Sequence, residues 1–293
     1  MPIHIAYIAA LIFAAVYALF DVFNKREIPS IFAYIIFILS IAIAFLSYYT
    51  DASIFIIDLL IVALLIALGY PLSRTALIGD GDIFEIATLS ALLPFIKPLD
   101  FNLPYWIYGI NGVLPFALTI IINSGFFGII LTLIFYLPLA VRRFGFSSLA
   151  RSIKPDYIDL ALLLSYILFL FVATFSGIGI ISTVIMSIIF ISAIILRKLE
   201  VYIEKLFIRH KRVIDIKEGD VLAIDHISKE KMNELDSLKI GRAITSSDVR
   251  KLRERLNLQE ELPVYVNGVP FSVAILIGLA FGIVYGNIII LIL

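Results

Sequence analysis

Cysteine is absent from the 293 residues, which excludes disulfides, thiolate metal sites and thiol catalysis and leaves the redox compartment open. Charge is scarce as well: Asp, Glu, Lys and Arg make up 16% of the chain against 61% hydrophobic residues, and the mean hydropathy is +1.06. A soluble chain needs polar residues to cover its outside, and most of this sequence has none to offer. Histidine is limited to His4, His210 and His226. None sits in a His-Glu-x-x-His helix, and no Gly-x-Ser-x-Gly elbow occurs, which disfavours zinc and serine-histidine hydrolysis. The first apolar run carries no basic segment before it and no small-residue cleavage site before Asp21, so it reads as a retained membrane span. No internal repeat or low-complexity segment stands out.

What the chain does have is long apolar runs. A membrane helix needs about 20 predominantly apolar residues, and that window gives about eight spans. They are Ile3 to Phe20, Ile31 to Tyr49, Ile54 to Tyr70, Ile83 to Ile96, Pro115 to Val141, Asp159 to Ser176, Ile178 to Leu196 and Phe271 to Leu293. The fourth is short, and only Gly177 separates the sixth from the seventh, so seven is the alternative count. The expected fold is an all-α polytopic membrane protein. Its membrane domain covers 1–196, a small cytoplasmic domain covers 197–267, and a last transmembrane helix covers 268–293.

Lysine and arginine set the expected orientation, because cytoplasmic loops retain them. Lys25 and Arg26 follow the first span, Arg74 the third, and Arg142, Arg143, Arg151 and Lys154 the fifth; fifteen more lie between Arg197 and Arg255. The alternate loops carry only Asp51 and, as a base, only Lys97. This puts the N-terminus outside and the polar region in the cytoplasm of a multi-pass cell-membrane protein. That region mixes 15 basic and 13 acidic residues, which favours a solvated surface over a nucleic-acid face. Within it, Thr245-Ser-Ser-Asp248 marks a helix start with Thr245 or Ser246 as N-cap.

Acids at a membrane boundary are expensive and tend to be functional. Asp21 ends the first span, and Asp80 and Asp82 open the fourth in Gly79-Asp80-Gly81-Asp82. The loop charges assign both sites to the cytoplasmic face, so the acids can meet. Two adjacent carboxyls cannot both ionise comfortably, and such a pair can hydrolyse a peptide, the carboxylate activating water and the protonated partner polarising the scissile carbonyl. Gly79 and Gly81 would let substrate backbone approach. Each signal also has a structural reading: Asp21 as a polar residue where a span reaches water, and the Gly-Asp-Gly-Asp run as a helix cap. A calcium loop lacks its further ligands. Glu85, one turn beyond Asp82, either tunes the site or reaches the interface, the second being the expectation. Asp58, inside the third span, is expected to have an interhelical partner, and Asn123 to bond across helices.

These residues resemble the type IV prepilin peptidases, in particular the archaeal branch that includes the preflagellin peptidases. Asp21 followed by Lys25-Arg26-Glu-Ile28-Pro29 is similar to the family's first acidic motif, and Gly79-Asp80-Gly81-Asp82 to its Gly-x-Gly-Asp signature. Pro115 to Asn123, Gly241 to Leu252 and Val264 to Phe271 are similar to further segments of archaeal members. The resemblance implies a Gly-x-Gly-Asp aspartic membrane protease with Asp21 and Asp82 as catalytic pair, Asp80 at the variable position, and Lys25, Arg26 and Glu85 as possible supporting residues. It implies no metal and no cofactor. The implied partners are the lipid bilayer and prepilin or pre-archaellin precursors with a basic leader before a hydrophobic helix, not nucleic acid. The chain departs from the bacterial pattern at Phe84 and lacks the bacterial tetracysteine motif, so methyltransferase activity is not implied. A presenilin-like protease is a rival, but its Pro-Ala-Leu motif is missing; an ion- or proton-coupled transporter or channel is a second, from a different class.

Overall fold

The computed structural model describes residues 3–24, 28–48, 52–74, 79–95, 99, 115–152, 156–176, 180–265 and 270–292. The apolar runs fold as helices because lipid offers backbone N–H and C=O groups no partner, and a helix satisfies them within one segment. In chain order these are α1 (Ile3–Phe23), α2 (Ser30–Tyr48), α3 (Ala52–Arg74), α4 (Asp80–Leu92), α5 (Phe116–Phe144), α6 (Phe146–Ser152), α7 (Tyr157–Ser176) and α8 (Ile180–Phe207). Among the described residues, four helices are long and apolar enough to cross a membrane: Ile5–Phe23, Ser30–Ser47, Ser53–Pro71 and Phe116–Phe144. Ile38, Leu60, Leu68, Ile134 and Leu168 point outward, an apolar exterior that suits lipid and not water. The apolar part of the chain is an all-α membrane protein.

The centre of the bundle is built from α1, α4, α5 and the later helix α11 (Phe271–Tyr285). Ala6, Ala10 and Ala14 form a narrow stripe on α1 that meets Leu89, Leu92 and Leu93 beside Ile275, Leu279 and Ile283. Small side chains at such a seam let backbones approach. Glycine takes this further on α11. A Cβ at Gly278 would stand 2.7 Å from the Ser124 backbone nitrogen, and one at Gly282 would stand 3.1 Å from the Phe116 ring. Helix α4 has 13 residues, about 20 Å at 1.5 Å per residue, too short for a hydrocarbon core of about 30 Å. It is tolerated because α1, α2, α3, α5 and α11 all pack against it.

The last helix, expected to be continuous from Phe271, is broken. Helix α11 stops at Tyr285, Gly286 takes φ 84°, and α12 (Ile288–Ile292) follows. Asn123 spans the break: its Nδ2 donates to the carbonyls of Gly278 at 3.3 Å and Gly286 at 3.0 Å, and its Oδ1 accepts from Ile288 N–H at 2.9 Å. The cross-helix bonding expected of Asn123 therefore ties α5 to α11 at Gly278 and satisfies two backbone groups at the glycine break, the Gly286 carbonyl and the Ile288 N–H.

The boundary placed between residues 196 and 197 falls inside α8, which runs on to Phe207. Leu199 and Ile203 extend its apolar stripe onto Tyr136, Ala140 and Leu149. Arg197 and Lys198, which read as the start of a polar region, are neutralised by Asp156 and Asp159 at the start of α7, with Arg197 Nη2 2.6 Å from Asp156 Oδ2. Beyond α8 the chain forms a three-stranded antiparallel sheet, which the sequence reading does not anticipate. Strand β1 (Ile208–Arg212) and strand β2 (Val221–Leu222) flank β3 (Glu261–Tyr265), with Ile208 and Val221 both opposite Tyr265. Helices α9 (Lys229–Ser237) and α10 (Ser246–Arg255) pack on it through Leu235 and Leu252, in a separate core with Val213, Leu222 and Val264. Thr245 is the N-cap of α10: its Oγ1 accepts from Asp248 N–H at 3.3 Å while Asp248 Oδ2 accepts from Thr245 N–H at 3.1 Å, a reciprocal capping box.

Replacing Asn123 by leucine keeps the volume and removes all three bonds. The expected loss is about 1–3 kcal/mol, read as a lower thermal unfolding midpoint in detergent; an unchanged midpoint would show that the break does not depend on Asn123.

Candidate active site

Three helix ends meet at one end of the bundle: the last turn of α1, the first turn of α4 and the first turn of α11. Asp21 is buried in the last turn of α1, and its Oδ2 accepts from the Ser272 N–H at 3.0 Å. A helix begins with amides that have no intrahelical partner, and Pro270 at the N-cap of α11 has no side-chain oxygen to offer them. Asp21, from the first helix of the chain, takes that role, with the positive end of the α11 dipole directed at its carboxylate.

Asp82 is the third residue of α4. Its Oδ2 accepts from the Gly79 N–H at 3.3 Å, so the side chain folds back over its own helix start. It remains partly exposed, and Asp80, two residues earlier, is exposed. Asp82 lies within electrostatic range of Asp21. The fold thus brings together the two acids singled out by the sequence. Each also caps a helix, Asp21 across the bundle and Asp82 within its own segment. Capping and chemistry are compatible, since a cap fixes a carboxyl's orientation.

Space is tight at both glycines. Gly79 has φ −72°, open to any residue, but a Cβ there would stand 3.0 Å from Asp82 Oδ2. At Gly81 it would stand 2.9 Å from Ile28 Cδ1. Ile28 belongs to the segment that follows Asp21, so the two acidic motifs touch through Ile28 and Gly81. Lys25 and Arg26 lie outside the described residues.

Two expectations fail. Glu85 does not reach the interface: it is 0% exposed, inside the bundle, within electrostatic range of Asp82 and Asp21. The helix rotation that aims Asp82 inward carries Glu85, one turn along, inward with it. Asp58 is likewise 0% exposed, and among the described residues neither of its oxygens has a hydrogen-bond partner. Sequence reasoning also missed Ser272, Tyr17 and Thr88. Tyr17 lies one turn before Asp21, and its hydroxyl donates to the Ala33 carbonyl at 3.4 Å. Thr88 lies one turn after Glu85 and is fully buried. The i, i+3 and i, i+4 spacing of Tyr17 with Asp21 and of Asp82, Glu85 and Thr88 was a signal available in the sequence. Among the described residues no group of three His, Asp or Glu side chains is arranged to hold a metal ion.

Comparison of the chain with family models, with curated proteins and with solved structures finds no match. The assignment of a function rests on the residues themselves.

The bond from Ser272 separates the structural role of Asp21 from any chemical one. Asp21→Ala leaves the first turn of α11 without its cap and is expected to cost about 1 kcal/mol, within the 0.5–2 kcal/mol range of lost caps. Asp21→Asn keeps an acceptor oxygen and should cost less than half as much. Thermal unfolding of the two purified variants checks this; equal losses would mean that the Ser272 bond carries no stability.

Proposed function

We propose that this protein is an aspartic endopeptidase of the prepilin-peptidase kind, which removes short basic leaders from pilin-like or archaellin precursors at the cytoplasmic membrane face. The observation that carries the proposal is the meeting of Asp21 and Asp82, from helices far apart in the chain, at one end of an apolar bundle. In this reading Asp21 is the carboxylate that takes a proton from the attacking water, its Oδ2 held in place by the Ser272 amide. Asp82, more open and hydrogen-bonded only on one oxygen among the described residues, is the acid that polarises the scissile carbonyl and then protonates the departing amine. The net step adds water across one peptide bond and leaves the pair with one proton, as it began.

The finer topology belongs to the same proposal. About eight membrane segments with the N-terminus outside put α1's end, α4's start and residues 208–265 on the cytoplasmic side, where a basic leader is retained. A precursor would keep its leader in water and its apolar helix in lipid, presenting the junction at the depth of the acids. The placement of both acids at helix ends weighs against a transporter, whose ion-binding groups gather near mid-bilayer.

The test is to mix membranes containing this protein with candidate precursors and follow loss of the leader by mass. Asp21→Asn and Asp82→Asn are each expected to lower processing by about a hundredfold or more, whereas Asp80→Asn retains most of it. Full processing by the Asp82 variant would end the aspartic reading.

A further inference from the structure

Glu85 has no function in the two-acid scheme, yet it is buried as deeply as any residue of the bundle. Both of its oxygens lack a hydrogen-bond partner among the described residues, and so do the hydroxyls of Ser272 and Thr88. The Ser272 hydroxyl nevertheless stands beside the Glu85 carboxyl. Four polar atoms so enclosed would be costly if they stayed unpaired. Ser272 links two of the acids: its amide holds Asp21 and its hydroxyl faces Glu85. Among the described residues, Asp82 on its own helix and Tyr17 and Asp21 on α1 also lie within electrostatic range of Glu85. On its other faces, Phe84 lies with Ala33 and Ile36 of α2, and Ala87 and Ala91 with Val62 and Ile66 of α3.

We propose that Glu85 is a positioning residue of the peptidase site: as a neutral acid it donates a hydrogen bond to the Ser272 hydroxyl and so fixes the first turn of α11 on Asp21. The geometry supplies the reason. A serine hydroxyl can accept one bond while its backbone N–H donates another, so Glu85, Ser272 and Asp21 form a chain from α4 through α11 to α1. A charge on Glu85 would face the carboxyls of Asp82 and Asp21, and like charges gathered in an apolar interior are costly. The neutral acid also leaves a single negative charge to Asp21 and Asp82, the state the proposed hydrolysis requires.

This inference rests on the peptidase reading, and its test separates the two. In the precursor assay, Glu85→Gln keeps a neutral donor and is expected to retain kcat within about threefold, with an unchanged pH profile. Glu85→Ala is expected to lower kcat at least tenfold with little change in KM, and to move the pH profile. Wild-type kcat and pH profile in the alanine variant would overturn the proposal and leave the peptidase reading standing. Loss in the glutamine variant as deep as in Asp21→Asn would overturn it too, by making Glu85's charged form essential. If wild-type protein processes no precursor, both fall. A readout independent of activity is infrared difference spectroscopy at neutral pH: a protonated-carboxyl stretch that disappears in Glu85→Gln supports the neutral acid, and no difference between the two spectra refutes it. The glutamine variant also covers the case in which the alanine variant does not fold.

Discussion

The hydrogen bond from the Ser272 amide to Asp21 joins residues 251 positions apart and fixes the register between the first helix and α11. An amide left without an acceptor inside an apolar bundle is destabilising, so α11 docks best where an acceptor waits. With α11 set against α1, the small residues of both helices close on α4, and α4 is left with a rotation that turns Asp82, Glu85 and Thr88 toward the same interior. One satisfied donor thus orders three helix ends.

The same rule works at the other end of α11. Gly282 and Gly278 bring the helix against α5, and the break at Gly286 would expose carbonyls and an amide to the apolar interior. Asn123 answers the Gly286 carbonyl and the Ile288 amide there with one side chain. Helix α11 is therefore held at its start by Asp21 from α1 and near its end by Asn123 from α5, polar ties at the two ends of an apolar rod. Residues 208–265 need no such device. They obtain a core of their own from Leu222, Leu252, Leu262 and Val264, and their helices are capped by local hydroxyls at Ser228 and Thr245.

Much of this was legible in the sequence. Asp21 and Asp82 stood out because carboxyls are rare in such apolar surroundings, Asn123 because amides in lipid seek carbonyls, and Thr245 because the cap pattern is short and local. Depth and rotation were not legible. An all-round apolar helix has no polar face to show which side turns inward, so Glu85 read as interfacial although it is buried. Helix α8 read as ending at Leu196 because Arg197 and Lys198 look like loop residues until Asp156 and Asp159 are placed beside them. The break at Gly286 was hidden in an unbroken apolar run. The pair Gly278 and Gly282, four residues apart, was a visible sign of close helix contact that pattern-reading for span length alone passes over. The short strands escaped because β2 has two residues and β1 is mostly charged.

The dependence of Asp21 on α11 also bears on timing. Chains emerge N-terminus first, so α1 and α4 with their carboxyls have been made well before residue 272. Until that point the Asp21 carboxyl lacks the amide that orients it. A nascent or prematurely terminated chain would therefore lack the tie between α1 and α11, and the three helix ends would come together only once the C-terminal helix is in place.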